Sequence, residues 1–235
     1  MPCAIVRGVK VPVLSALGSA LKPVRRRLRA WWLTLTGRRE DAVEWLVRII
    51  PGMFARDEIR LLYRTARDAR GPGDIAEIGS WKGRTSVTMA LALKDAGVRD
   101  CRVYAIDHHE GSAEHAERIA REGSTLAAFR KNVRAAGVDD LVEEMVMLSP
   151  AAGKILRERG VRLRMAFIDG AHDEESVRAD IRLMLPLMQP GAILAFHDYA
   201  PDGWPGVVKA YHGELDGKVD VVARASSLLV ARLRT

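Results

Sequence analysis

The chain predicts a doubly wound α/β domain around a mostly parallel sheet. Four apolar runs, IAEIG (75–79), VYAID (103–107), MAFID (165–169) and AILAF (192–196), are near-continuous, as strands buried on both faces are. Each carries an acid at or just past its carboxyl end: Glu77, Asp107, Asp169 and Asp198. Segments with apolar residues at helical spacing separate the runs. At 235 residues and 48% hydrophobic content, one such domain with a decorated N-terminus is expected.

The elements follow in order. Residues 41–53 and 55–70 read as amphipathic helices, and Gly71-Pro72-Gly73 ends the second. The first strand runs to Gly79, and a helix opens at Thr85-Ser86 and continues to Gly97. The second strand ends at Asp107, and 112–137 is helical with an interruption near Gly123. EEMVMLSP (143–150) is the third strand. VRLRMAFIDGAH (161–172) carries the fourth and GAILAFHDY (191–199) the fifth, with a helix over 176–188 between them. A helix over 204–215 precedes two final strands, 219–224 and 227–233, joined by a very short turn. No internal repeat or low-complexity segment appears.

The turn DIAEIGSWKGRTS (74–86) is a strand, a glycine turn and a helix start, which is how α/β sheets hold nucleotide-like ligands. It does not fit a triphosphate loop: the glycines are one residue too close, and Arg84 stands where a lysine is needed. Ser80-Trp81 break the dinucleotide spacing. Glu77 at the strand end would repel a phosphate and attract a cationic ligand. S-adenosylmethionine has a sulfonium, an ammonium and no phosphate, so charge favours it. Asp107 ends the next strand about 30 residues on, where a carboxylate binds both ribose hydroxyls; a helix-capping aspartate is the plainer alternative. Strands that end together at one sheet edge bring Glu77, Asp107, Asp169, His197 and Asp198 to one rim.

With these residues in view, the chain resembles the class I S-adenosylmethionine-dependent methyltransferases. It is most similar to the group with EIG-x-x-x-GRTS in the first motif, FIDG-x-H after the fourth strand and HDY after the fifth. That group includes sugar and macrolide O-methyltransferases, with cephalosporin-hydroxylase-like relatives. The likeness spans about Asp57 to Tyr199. Ala171 stands where members commonly carry an acid, and Ala192 where many have a second glycine.

The resemblance implies a Rossmann-like sheet of seven strands, mostly parallel with an antiparallel last strand, with helices on both faces. It implies a cofactor set of Glu77, Gly79, Ser80, Gly83, Thr85, Asp107, His108, Ser149 and Asp169. Mg²⁺ or Mn²⁺ would be held by Asp169, His197 and Asp198, hard oxygen and nitrogen donors. His172 is the candidate base, with Asp169 beside it, because an imidazole titrates near neutrality. His108, His109, Tyr199 and Trp204 are candidates for the acceptor pocket. The implied activity is methyl transfer to a hydroxyl of a small molecule. An oxidoreductase on the same scaffold and a non-catalytic cofactor-binding subunit are the alternatives.

Composition narrows the partners. The net charge is +7, but residues 1–40 carry nine basic residues against Glu40 alone, so 41–235 is close to neutral. A nucleic-acid enzyme would carry a basic face beside its site. The sequence therefore divides into a basic leader (1–40) and a cofactor domain (41–235) acting on small molecules. The leader has an apolar stretch too short to span a bilayer, and its arginines mix with Trp31 and Trp32. It suits an anionic membrane surface, the domain itself or a partner subunit, a homo-oligomer included. Cys3 and Cys101 cannot form a disulfide framework and fit a reducing, cytoplasmic compartment.

Overall fold

The computed structural model describes residues 30–112 and 116–234. The leader before Ala30, with Cys3, and His115 lie outside them. Seven strands form one sheet in the order β3-β2-β1-β4-β5-β7-β6. They are β1 (Asp74–Ile78), β2 (Val103–Ile106), β3 (Val142–Met145), β4 (Leu163–Ile168), β5 (Met188–Phe196), β6 (Val219–Ala225) and β7 (Leu228–Leu233). The first five pair in parallel, and β7 runs antiparallel between β5 and β6.

The α-helices from Arg39 onward are α1 (Arg39–Val47), α2 (Arg56–Asp68), α3 (Arg84–Asp95), α4 (Ala116–Glu122), α5 (Leu126–Ala136), α6 (Ser149–Glu158), α7 (Glu174–Met184) and α8 (Pro205–Leu215). The period-two alternation of the strands splits the core into two layers. Ile75, Val103, Phe167 and Ala195 face one way, against Leu62 of α2, Met89 and Leu93 of α3 and Phe129 of α5. Ala76, Ile106, Ile168 and Phe196 face the other, against Leu156 of α6, Ile181 of α7 and Tyr211 of α8. This is the two-sided winding that the apolar runs imply.

Element boundaries differ from the sequence expectation in several places. The helix expected over 41–53 is α1 and stops at Val47. Its apolar period runs on through Ile49-Ile50, but Pro51 and Gly52 end it. The strand expected over 143–150 ends at Met145, and Ser149 opens α6 instead, with Pro150 in its first turn. Proline reads as a breaker in sequence yet is favoured at a helix start, where its missing N–H costs nothing. Residues on the two sides of position 40 pack together. Ala30 and Leu33 are buried against Ala42, with Trp45 and Leu46 alongside. Trp31 and Trp32 point outward, 63% and 55% exposed. Among the described residues, no helix is long and apolar enough to cross a membrane.

Candidate active site

Register sets the rim. Ile78 pairs with Ile106 and with Ile168, and Ile168 pairs with Phe196. The next residue of each strand is therefore Gly79, Asp107, Asp169 and His197, all at one edge. A cavity of about 550 Å³ opens there. Gly79, Ser80, Thr85, Asp107, His108, Ser149, Asp169, His172, His197 and Asp198 all line it.

The turn after β1 needs its glycine. Gly79 has φ +89°, and a Cβ there would lie 2.0 Å from the Asp169 carbonyl oxygen. Gly83, at φ +86°, caps the start of α3 and lies behind the lining. Glu77 also stands behind the turn, not on the cavity wall. It is fully buried, and its Oε2 accepts the Ser86 hydroxyl. Burial pushes its carboxyl up to about 8, against the opposing pull of Ser86 and Thr85. Burial within the strand, beneath α3, removes the water that would keep the carboxylate ionised.

Asp107 is held by backbone. Its Oδ2 accepts the Trp81 N–H at 2.7 Å, and its Oδ1 accepts the His109 N–H at 2.6 Å. Both donors sit at positive φ, 48° and 61°. That places two non-glycine residues in a costly conformation beside one carboxylate. The same backbone twist turns His109 inward, where Nδ1 lies 2.8 Å from Thr125 Oγ1 and the ring meets Phe129. His109 therefore does not line the cavity. Tyr199 also faces away, with its hydroxyl 3.0 Å from His212 Nε2. Trp204 lies outside the lining too, stacked on His172 with ring centroids 4.1 Å apart.

The β4–β5 edge is a cluster of imidazoles and carboxylates. His172 Nε2 lies 3.0 Å from Asp198 Oδ2. His197 Nδ1 lies 3.1 Å from Asp169 Oδ1 and 2.9 Å from Asp198 Oδ2. Burial works to lower the His197 pKa, but the charge and hydrogen bond of Asp169, with Asp198 and Glu58, raise it to about 12. Burial pushes Asp169 up, against the pull of His197. Asp198 goes the other way: burial opposes, but hydrogen bonds from His172 and His197 hold it well below the usual carboxylate range. Asp198 itself sits at φ 55°.

Sequence reasoning missed three contributors. Asp180, in the middle of α7, is buried on the cavity wall and accepts the Ser149 hydroxyl at 2.6 Å. Burial raises its carboxyl to about 6, against that hydrogen bond. Glu58 of α2 reaches His197 from behind. Arg84 fastens the loop after α1: its Nε donates to Ile50 O at 2.6 Å and its Nη1 to Phe54 O at 3.4 Å. Asp180 and Glu58 read in sequence as ordinary helix-surface polar residues, and Arg84 as a residue out of place in a triphosphate loop.

The cavity fits the ligand class expected. Ser80 Oγ, buried on the cavity wall, has no hydrogen-bond partner in the protein. Buried polar atoms seldom stay unpaired, so a ligand with hydrogen-bonding groups suits it. The cluster fits a hard divalent cation as well. Ligand atoms of Asp169, His172 and Asp198 lie within 4.8 Å of one another, and His197 is at hydrogen-bond distance from both aspartates.

Known proteins agree with this architecture. The methyltransferase domain family matches residues 76–199. The 8-demethyl-8-(2,3-dimethoxy-α-L-rhamnosyl)-tetracenomycin-C 4′-O-methyltransferase of Streptomyces olivaceus is 28% identical over 174 residues, 69% of this chain and 66% of that protein. The match thus spans just under two thirds of that relative's length. Among solved structures, the O-methyltransferase NovP superposes with a TM-score of 0.62 at 21% identity, covering 78% of this chain and 82% of that one. The O-methyltransferase TomG from Streptomyces achromogenes, solved in complex with SAM, gives 0.58 at 21% identity over the same shares. At such identity the structural likeness is one of fold. With more than half of its length matched by the family, the chain belongs to the methyltransferase domain family.

Proposed function

We propose that the protein transfers a methyl group from S-adenosylmethionine to a hydroxyl of a small molecule, of the sugar or secondary-metabolite class. The observation that carries the chemistry is the His172–Asp198 pair, 3.0 Å apart on the wall of the cavity that also holds the glycine turn and Asp107. The sugar class rests on the tetracenomycin 4′-O-methyltransferase, whose name gives a rhamnosyl-bearing tetracenomycin as what it methylates.

S-adenosylmethionine supplies an electrophilic methyl carbon whose leaving group is a neutral thioether. The chain's residues do the rest. Asp107 would accept the ribose hydroxyls, its direction set by two backbone N–H groups. Ser149 and Asp180 stand where the next strand's end would border the adenine. The His172 imidazole would take the proton as the acceptor oxygen forms its bond to carbon. Asp198, beside Nε2, stabilises the imidazolium that results. Trp204 stacks on that ring, with centroids 4.1 Å apart. Asp169, His197 and Asp198 would hold Mg²⁺ or Mn²⁺, which would lower the pKa of the acceptor hydroxyl. Nothing in the site favours an oxidoreductase or a non-catalytic subunit.

The test starts with calorimetry of S-adenosylhomocysteine on the purified chain. Labelled S-adenosylmethionine is then offered with a panel of deoxysugar glycosides and their aglycones. Methylation of a sugar hydroxyl is the expected result. Preference for NAD or ATP, or tight cofactor binding without transfer to any hydroxyl acceptor, would reject the proposal.

A further inference from the structure

Glu58 stands in the first turn of α2 and is 2% exposed. Its Oε2 accepts the Ala55 N–H at 2.7 Å and lies 3.4 Å from His197 Nε2. Its Oε1 accepts the Ser227 N–H at 2.9 Å and the Ser227 hydroxyl at 2.7 Å. A glutamate at a helix start needs only the bond to the capping N–H for that role. Here the same carboxylate also reaches the turn between β6 and β7 and the imidazole after β5. The His197 ring is fixed on its face as well, stacked on Phe54 with centroids 3.9 Å apart and planes 17° from parallel.

An imidazole has two nitrogens, and a buried ring can present only one of them to the rim. With Nε2 facing Glu58, Nδ1 is the nitrogen that meets Asp169 and Asp198. We propose that Glu58 is the positioning residue of this edge: it holds His197 with Nε2 toward α2, so that Nδ1 faces a divalent cation held by the two aspartates. The proposal rests on the metal reading given above. Imidazoles that ligate metals commonly donate their other N–H to a carboxylate, which fixes the ring and its tautomer.

The competing role is a plain staple between α2 and the β6–β7 turn. Asp57 offers the comparison, because it accepts the Ser226 hydroxyl at 2.8 Å in the same turn without being bonded to His197. Mn²⁺ is titrated by calorimetry into the full chain saturated with S-adenosylhomocysteine, as wild type, Glu58→Gln and Asp57→Asn. Glu58→Gln is expected to weaken Mn²⁺ by about tenfold or more. Asp57→Asn should stay within about threefold, as should S-adenosylhomocysteine affinity in both variants. Equal Mn²⁺ affinity in wild type and Glu58→Gln overturns the proposal and leaves the metal reading standing. Equal weakening in both variants overturns it in favour of the staple. If wild type binds neither Mn²⁺ nor Mg²⁺, the metal reading falls and the proposal falls with it. Glu58→Asp keeps the charge at the helix start but withdraws it from Nε2. It should show the same loss, and unchanged affinity there overturns the proposal even if the Gln variant does not fold.

Discussion

The β1–β2 edge of the cavity and its β4–β5 edge hold their side chains by different means. On the first, backbone holds a single carboxylate: the N–H groups of Trp81 and His109 fix Asp107. On the second, side chains hold side chains: Asp198 is shared by His172 and His197, and His197 by Asp169 and Asp198. A carboxylate anchored by backbone keeps one direction and still has lone pairs to offer, which suits a ligand of constant shape. A carboxylate shared between imidazoles has a setting that changes whenever a proton moves, which suits a reaction.

That contrast can be broken by substitution. The largest effect is expected for Asp198→Asn, which leaves His172 and His197 without their shared anion. Turnover should fall by about a hundredfold or more, the scale of lost general-base catalysis. S-adenosylhomocysteine affinity, read by calorimetry, should barely move; a parallel loss of affinity would show that the two edges are one unit.

Asp107→Ala tests the opposite edge. It should weaken S-adenosylhomocysteine by about 1–3 kcal/mol through lost charged hydrogen bonds. Turnover at saturating S-adenosylmethionine should stay near wild type. Wild-type affinity in this variant would remove Asp107 from the cofactor site.

Glu77→Gln should have the smallest effect, and one visible only against pH. A carboxyl raised to about 8 in the folded protein favours folding while it stays protonated. That contribution is whole below the ordinary glutamate pKa of about 4.3 and is lost as pH climbs through 8. The ligand-free wild type should therefore lose thermal midpoint between pH 5 and 9 relative to Glu77→Gln, by a few degrees. Parallel midpoint curves would mean that Glu77 ionises without penalty inside the fold.

The same contrast explains what was legible in the sequence. The turn 74–86 could be read because glycine spacing and a strand-end acid are local features, and β1, β2, β4 and β5 because burial on both faces leaves a continuous apolar run. The contacts of His197 could not. Asp198 adjoins it in sequence, but Phe54 and Glu58 reach it only after α2 folds back over the sheet. Asp180 was hidden for a similar reason. It is one polar position in an amphipathic helix until packing brings it to Ser149. Trp204, expected in the pocket, meets it only through the ring of His172.

The insertion of β7 between β6 and β5 has a consequence for how the molecule is made. Synthesis is vectorial, and β6 leaves the ribosome before the strand that joins it to the sheet. Until residues 228–233 emerge, the Phe196 edge of β5 is an open template, and open edges invite wrong pairing. Ser227, which Glu58 needs for two of its hydrogen bonds, arrives just before that strand. The β4–β5 edge of the cavity is thus completed after translation has passed it, while the turn at Gly79 can form far earlier.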